Sequence, residues 1–344
     1  MSATPGSGPI LMWGAGAIGG TIGAYLKRAG HDIVFVDIVP EHVAAISGSG
    51  LAVEGPIEEF KVSAPAFTPD KLSGRFERVI LSVKAQHTTA ATEALRPFLA
   101  EDGYVLSAQN GLNELTIADI VGAKRTIGAF VNFGADYLDA GRVVYAGHGA
   151  VVLGEIDGKS TPRLAALHRV MCDFEPDAIV TGNIWGYLWG KLGYGALLFA
   201  TALTNESIAD ALALPRYFDL YRALGNEVLS VAEAEGIRPE GFNGFDPGAF
   251  VSAAPPEHTQ RSINAMVAHN RKSVKSHSGI WRDLAVRKRK TEIDAQVAII
   301  VPIADKHGLA TPIVQRLVAL IHDIEDGRRS LDIANLDHLA EAVR

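Results

Sequence analysis

Residues 9–30 read PILMWGAGAIGGTIGAYLKRAG. An apolar run fit for a buried strand gives way to a glycine turn. The turn opens a helical pattern that ends at Gly30. Gly14, Gly16 and Gly19 fit G-x-G-x-x-G. There the first glycine permits the tight turn, the second lets a pyrophosphate approach the backbone, and the third lets helix and strand pack closely. The positive end of the helix, at Gly16, Ala17 and Ile18, then faces the phosphates. The next strand, HDIVFVD, ends at Asp37, 23 residues after Gly14. This is near the spacing at which a carboxylate accepts hydrogen bonds from adenine ribose hydroxyls. Asp37 also repels a 2′-phosphate, and Ile38, Val39 and Pro40 supply no arginine to hold one. NAD(H) is therefore favoured, with NADP(H) the alternative. Without a ligand, Asp37 reads as a strand-end carboxylate facing solvent.

The alternation continues outward. ERVILSV (77–83), the helical TTAATEALRPFLA (88–100) and YVLSA (104–108) repeat it, which implies βαβ units and a parallel sheet. Strand-like runs at 125–135, 142–147 and 150–155 lie close together, so the sheet is expected to end in antiparallel strands. After about residue 160 the patterns turn helical, beginning with STPRLAALHRVMCDF (160–174), where Ser160 or Thr161 is the expected N-cap. A long helical segment is expected over 280–307 with a kink at Pro302, and 240–258 reads as the loosest loop. The predicted fold is α/β: a Rossmann-type doubly wound sheet over 1–180, then a mostly α-helical second domain over 181–344.

Composition narrows the function. The formal charge is −7, which argues against a nucleic-acid or anionic-membrane binder. The single cysteine, Cys172, excludes an intrachain disulfide and fits a cytoplasmic setting; its helical neighbours make it an expected core thiol. The polar MSATPGSGP lacks signal-peptide character, and no run reads as a membrane span. No group of His, Cys and acidic residues has metal-ligand spacing, so no metal is expected. The expected partner is a small-molecule substrate, and the apolar helical half suits a homodimer contact.

One charge is out of place. IWGYLWGKLGYGALLFATAL (184–203) contains a single ionisable cation, Lys191, and no other charge falls between Asp177 and Glu206. Burying an unpaired ammonium costs about several kcal/mol. Lys191 is either a proton donor in a cleft or a side chain that snorkels to water. Gly182, Gly186 and Gly190 recur every four residues, which places them along one side of a helix, where tight helix–helix packing, another backbone or a ligand would account for them. Lys84 and Gln109-Asn110 end two strand-like runs, where open α/β sheets bind ligands, although a solvated lysine and a turn dipeptide are the ordinary readings.

GAGAIG, SVKAQHT, QNGLNE, YLWGKL and RKRKTEID occur in this order over nearly the whole chain. The set resembles the ketopantoate reductase (2-dehydropantoate 2-reductase) family. The resemblance implies a Rossmann domain joined to a helical domain of the 6-phosphogluconate dehydrogenase C-terminal type, with the active site in the cleft between them. It places Lys191 on the family's catalytic lysine. Glu292 falls on the glutamate that contacts substrate and assists that lysine, although pairing with Arg289 or Lys288 is its ordinary reading. Asn110 and Lys84 fall near nicotinamide and substrate, and Ser278 on the substrate-binding serine.

Two departures bear on specificity. The family places asparagines four and eight residues after the lysine, where this chain has Gly195 and Phe199. The arginine expected for NADPH after the second strand is absent. Both point away from ketopantoate toward a less polar or bulkier 2-oxo or 2-hydroxy acid, or a related carbonyl compound. The alternatives are an NADPH-dependent 2-dehydropantoate 2-reductase and a nucleotide-binding sensor without turnover.

Overall fold

A computed structural model describes residues 8–272 and 276–343. The chain divides into two compact units, Met1–Ile184 and Trp185–Arg344.

The first unit is built on one sheet. Its strands are β1 (Ile10–Trp13), β2 (Ile33–Val36), β3 (Leu51–Glu54), β4 (Phe60–Val62), β5 (Ala66–Phe67), β6 (Phe76–Leu81), β7 (Leu99–Ser107), β8 (Thr126–Asp139), β9 (Arg142–Glu155) and β10 (Ile179–Val180). The order is β4-β3-β9-β8-β7-β6-β1-β2-β5, with β10 beside β9. Strand β1 lies between β2 and β6, parallel to both, so the glycine turn leaves from the interior of the sheet. Helices α1 (Ala17–Arg28), α2 (Pro40–Gly48), α3 (Thr88–Leu95), α4 (Asn113–Val121) and α5 (Pro162–Cys172) accompany it. The strands bury residues on both faces: Ile10, Met12 and Phe35 belong to one core cluster, Leu11, Trp13 and Val36 to another. That is why β1 reads as continuous apolar sequence instead of alternating.

The sheet differs from the sequence expectation in two ways. The runs at 142–147 and 150–155 form one strand, β9, paired antiparallel with β8 and irregular near Gly147. That pair is not the end of the sheet, because β3 adds parallel to β9 and β4 follows antiparallel. Strands β3 to β5 are two to four residues long, too short to leave a periodic signature. Thr161 is the N-cap of α5, its Oγ1 accepting from Leu164 N at 3.2 Å. Cys172 is half-buried, and its Sγ lies 3.5 Å from His168 Nε2.

The second unit is helical: α6 (Ile184–Thr201, whose first residue closes the first unit), α7 (Ile208–Leu212), α8 (Phe218–Ala234), α9 (Pro256–Lys272), α10 (Gly279–Ala285), α11 (Ile300–Lys306), α12 (Pro312–Glu325) and α13 (Ala334–Ala340). The expected long helix over 280–307 is broken. Regular structure stops at Ala285, Lys288 has φ +49°, and a π-helix over Asp294–Ala298 precedes α11. The cause is local charge: Asp283 Oδ1 accepts from Arg287 and Arg289, and Asp283 O accepts from Arg289 N, which turns the RKRK run back on itself. Pro302 sits in the first turn of α11, where its missing N–H costs nothing, and is not the breaking point. The segment 240–258 is irregular but packed, with Phe245 and Phe250 buried.

Helix α12 begins without a cap from its own chain neighbour Thr311; Glu227 of α8 does that work, accepting from Ile313 N at 3.0 Å and Val314 N at 2.9 Å. Glu227→Ala leaves two first-turn N–H groups without this partner. It is expected to lower stability by about 1–2 kcal/mol, the usual cost of a lost N-cap, measured by urea unfolding.

Candidate active site

The glycine turn is held by contacts that its sequence alone does not show. Gly14 has φ +95°, and its N donates to Val36 O at 2.8 Å while its carbonyl accepts from Ser82 Oγ at 2.9 Å. A Cβ on Gly19 would meet Gly14 O at 2.0 Å and Ser82 Oγ at 2.1 Å, so only glycine fits. A Cβ on Gly16 would meet nothing within 4 Å. Gly16 is the N-cap of α1 without any side-chain cap, so the first-turn N–H groups at Ala17 and Ile18 have no intrahelical acceptor. An open approach to bare N–H groups at the positive end of a helix fits a pyrophosphate.

Asp37 sits at the end of β2 beside this turn. Its Oδ2 accepts from Ala15 N at 2.9 Å and its Oδ1 from Val39 N at 3.0 Å. An ionised carboxylate has about four acceptor sites, so two remain for ribose hydroxyls. Asp37 has no ion-pair partner among the described residues, and Ile38 beside it is 75% exposed. Lys84 is half-buried just past β6, and Asn110 is exposed just past β7. Gln109 is buried and joins the two loops, donating to Val83 O and Thr88 Oγ1, both at 2.8 Å. Thus Gly14, Gly16, Gly19 and Asp37 lie together, and Lys84 and Asn110 follow adjacent strands of the same sheet.

Two residues here escaped the sequence reading. His42 of α2 is buried, and its Nε2 lies 2.8 Å from Ala15 O. Tyr137 of β8 packs edge-on to His42 at 5.1 Å between ring centroids. Burial raises the pKa of its phenol, and the charge of Asp37 raises it further, which places it in the field of that carboxylate. Neither has a motif; the only clue was a histidine in an otherwise apolar and acidic helix start.

In the second unit Lys191 is half-buried on α6. Gly195, one turn on, is half-buried, and a Cβ there would meet nothing within 4 Å. Phe199, two turns on, is 0% exposed and packs in the core, so a substrate could touch it only after its neighbours moved. Ser278 is buried and occupied as the N-cap of α10, its Oγ accepting from Trp281 N at 3.1 Å. Glu292 does not lie within one long helix over 280–307. It is half-buried at the entry to the π-helix, where its Oε2 accepts from Gln296 Nε2 at 3.0 Å. Next to it, Thr291 donates through both N and Oγ1 to Glu325 Oε1 at 2.7 Å, which anchors the segment to α12. No group of three or more potential metal ligands occurs among the described residues, and none of their helices is long and apolar enough to cross a membrane.

A glycine turn in an α/β unit, followed by a helical unit carrying one lysine in an apolar helix, fits the class to which the matching proteins belong, nicotinamide-dependent oxidoreductases that act on CH–OH groups. Comparison with known proteins gives the family. Residues 10–158 match the family described as ketopantoate reductase PanE/ApbA, and residues 183–325 match its C-terminal part. The chain belongs to the ketopantoate reductase family. It is 27% identical over 321 residues to a 2-dehydropantoate 2-reductase of Archaeoglobus fulgidus, covering 92% of this chain and 98% of that one. It superimposes on a PanE/ApbA family ketopantoate reductase of Ralstonia eutropha with a TM-score of 0.77 and 26% identity, over 94% of this chain and 99% of the other. D-mandelate dehydrogenase shares the fold, with a TM-score of 0.79 and 22% identity over 93% and 99%.

Proposed function

We propose that the protein is an NAD(H)-dependent oxidoreductase interconverting a 2-oxo acid, or a related carbonyl compound, with its 2-hydroxy form, and that Lys191 is its general acid and base. The observation that carries this reading is the setting of Lys191. It is half-buried, the one charge on an 18-residue apolar helix, with open space beside it at Gly195. Gly14, Gly16, Ala17, Ile18 and Asp37 would hold the dinucleotide, with Lys84 and Asn110 at its nicotinamide end. The bound nicotinamide supplies or accepts the hydride. Lys191 gives a proton to the carbonyl oxygen and stabilises the alkoxide that develops there. In the reverse direction its neutral amine takes the proton from the alcohol. Glu292 limits the rotamers of Lys191 and contacts substrate, and Ser278 borders the substrate.

The missing asparagine at 195 leaves room where the family's usual pocket has an amide. That favours a bulkier or less polar acid than ketopantoate. The test is a steady-state comparison of ketopantoate, pyruvate, phenylpyruvate and benzoylformate, each with NADH and NADPH. The expected result is the highest kcat/KM with NADH and an aromatic 2-oxo acid. Fastest turnover of ketopantoate with NADPH overturns the substrate and cofactor reading, and no turnover of any pair favours a sensor.

Cofactor choice is tested separately by Asp37→Ser combined with Ile38→Arg. Removing the carboxylate loses charge-assisted ribose bonds of about 1.5–3 kcal/mol, and the arginine offers a partner to a 2′-phosphate. The NADH-to-NADPH ratio of kcat/KM is expected to fall at least about tenfold. The ratio is the useful readout, because loosening of Ala15 N weakens both cofactors alike.

A further inference from the structure

We propose that His42 is a positioning residue for the dinucleotide turn, fixing the Ala15–Gly16 peptide so that the Gly16 N–H faces the pyrophosphate side. The role rests on the dinucleotide reading of the turn given above. His42 is 1% exposed and bonded at both ring nitrogens. Gly141 N lies 2.9 Å from Nδ1, and Nε2 lies 2.8 Å from Ala15 O. A backbone N–H can only donate, so Nδ1 is the acceptor and Nε2 carries the proton. One tautomer therefore satisfies both bonds, and Nε2–H donates to Ala15 O.

Ala15 is thus pinned at both ends. Asp37 Oδ2 accepts its N–H, and His42 holds its carbonyl. In a planar trans peptide the carbonyl and the following N–H point in opposite directions. With Ala15 O drawn toward buried His42, the Gly16 N–H is turned away from it, and the approach to Gly16 is open. The anchor matters because glycines flank this residue. Gly14 and Gly16 offer little steric resistance to a peptide flip, and a flipped plane would present a carbonyl to the phosphates. His42 also ties the turn to Gly141, the tight bend between β8 and β9 at φ +79°. A Cβ on Gly141 would come within 2.9 Å of Ala45 Cβ, so this bend and α2 are closely packed.

Two substitutions separate the bonds. His42→Gln can keep the donor to Ala15 O, because the amide nitrogen of glutamine reaches the place of Nε2. His42→Asn can keep the acceptor for Gly141 N–H, because its amide oxygen takes the place of Nδ1, but it releases Ala15. Dissociation constants for NADH are read by fluorescence titration, alongside melting temperatures. The expected result is a Gln variant within about threefold of the unmodified protein and an Asn variant at least tenfold weaker, with similar melting temperatures. Equal NADH affinity in the Asn variant, or losses that simply follow melting temperature in both, overturns the role. Amide exchange on the unmodified protein gives an independent readout: Gly16 N–H should exchange freely alone and become protected with NADH. Protection without NADH means that the N–H points inward and also overturns the role. If the unmodified protein binds neither NADH nor NADPH, the cofactor reading itself falls, a result distinct from all of these.

Discussion

Replacing Lys191 with alanine is expected to lower turnover a hundredfold or more and to leave the affinity for dinucleotide unchanged. General acid–base catalysis contributes about 10²–10⁴ in rate, which corresponds to about 2.7–5.5 kcal/mol of barrier. The residues proposed to hold the dinucleotide lie in the first unit, and Lys191 lies on α6 of the second. Packing does not compensate for the loss, since the charge is the only one on α6 and no neighbour on the helix can replace it. Single-turnover rates with a 2-oxo acid and NADH titrations give the two quantities. Unchanged turnover would remove Lys191 from the chemistry and leave it as a snorkelling residue. Weakened dinucleotide binding with turnover at saturation intact would assign it to cofactor binding.

The second large effect is structural. Gly190→Ala is expected to destabilise the protein by about 2–3 kcal/mol, although alanine is the better helix former by about 1 kcal/mol. A Cβ at this position would lie 2.0 Å from Glu240 O and 3.1 Å from Glu240 C. Glu240 N also donates to Gly186 O at 2.9 Å, so the chain around Glu240 crosses α6 in direct backbone contact. Main chain cannot swing aside like the end of a flexible side chain, and the loop must leave α6 or α6 must bend. A fall in melting temperature of about 3–4 °C is the expected readout for a protein of this size. Turnover should fall too, because Lys191 is the next residue on the displaced turn. An unchanged melting temperature would mean that the crossing at Glu240 yields easily, and that the glycine is dispensable.

Much of the molecule was legible in the chain. The glycine turn declared itself because a positive φ at Gly14 and the contact at Gly19 admit only glycine, so geometry is written directly as residue type. Lys191 was legible for the same kind of reason: a charge in an apolar helix is costly enough to need an explanation. Glu292 was legible by resemblance, but its setting was not. Helical periodicity ran through 286–292 without a break, while Asp283 gathers Arg287 and Arg289 by side-chain bonds that no period encodes.

By itself the sequence determined the parallel sheet of the first unit, the place of the glycine turn, the acidic strand end at Asp37 and the lone cation on α6. These depend on local rules, namely apolar runs, glycine-only conformations and the cost of burying charge, and each is carried by residues close together in the chain. Tertiary structure alone decided what approaches Gly190 of α6, which proves to be main chain at Glu240. It alone put Phe199 in the core and left Gly195 open, and it alone brought His42 to Ala15 across 27 residues and to Gly141 across 99. Those outcomes follow from which surfaces meet after folding, and contacts between segments so distant in the chain leave no periodic mark on either one.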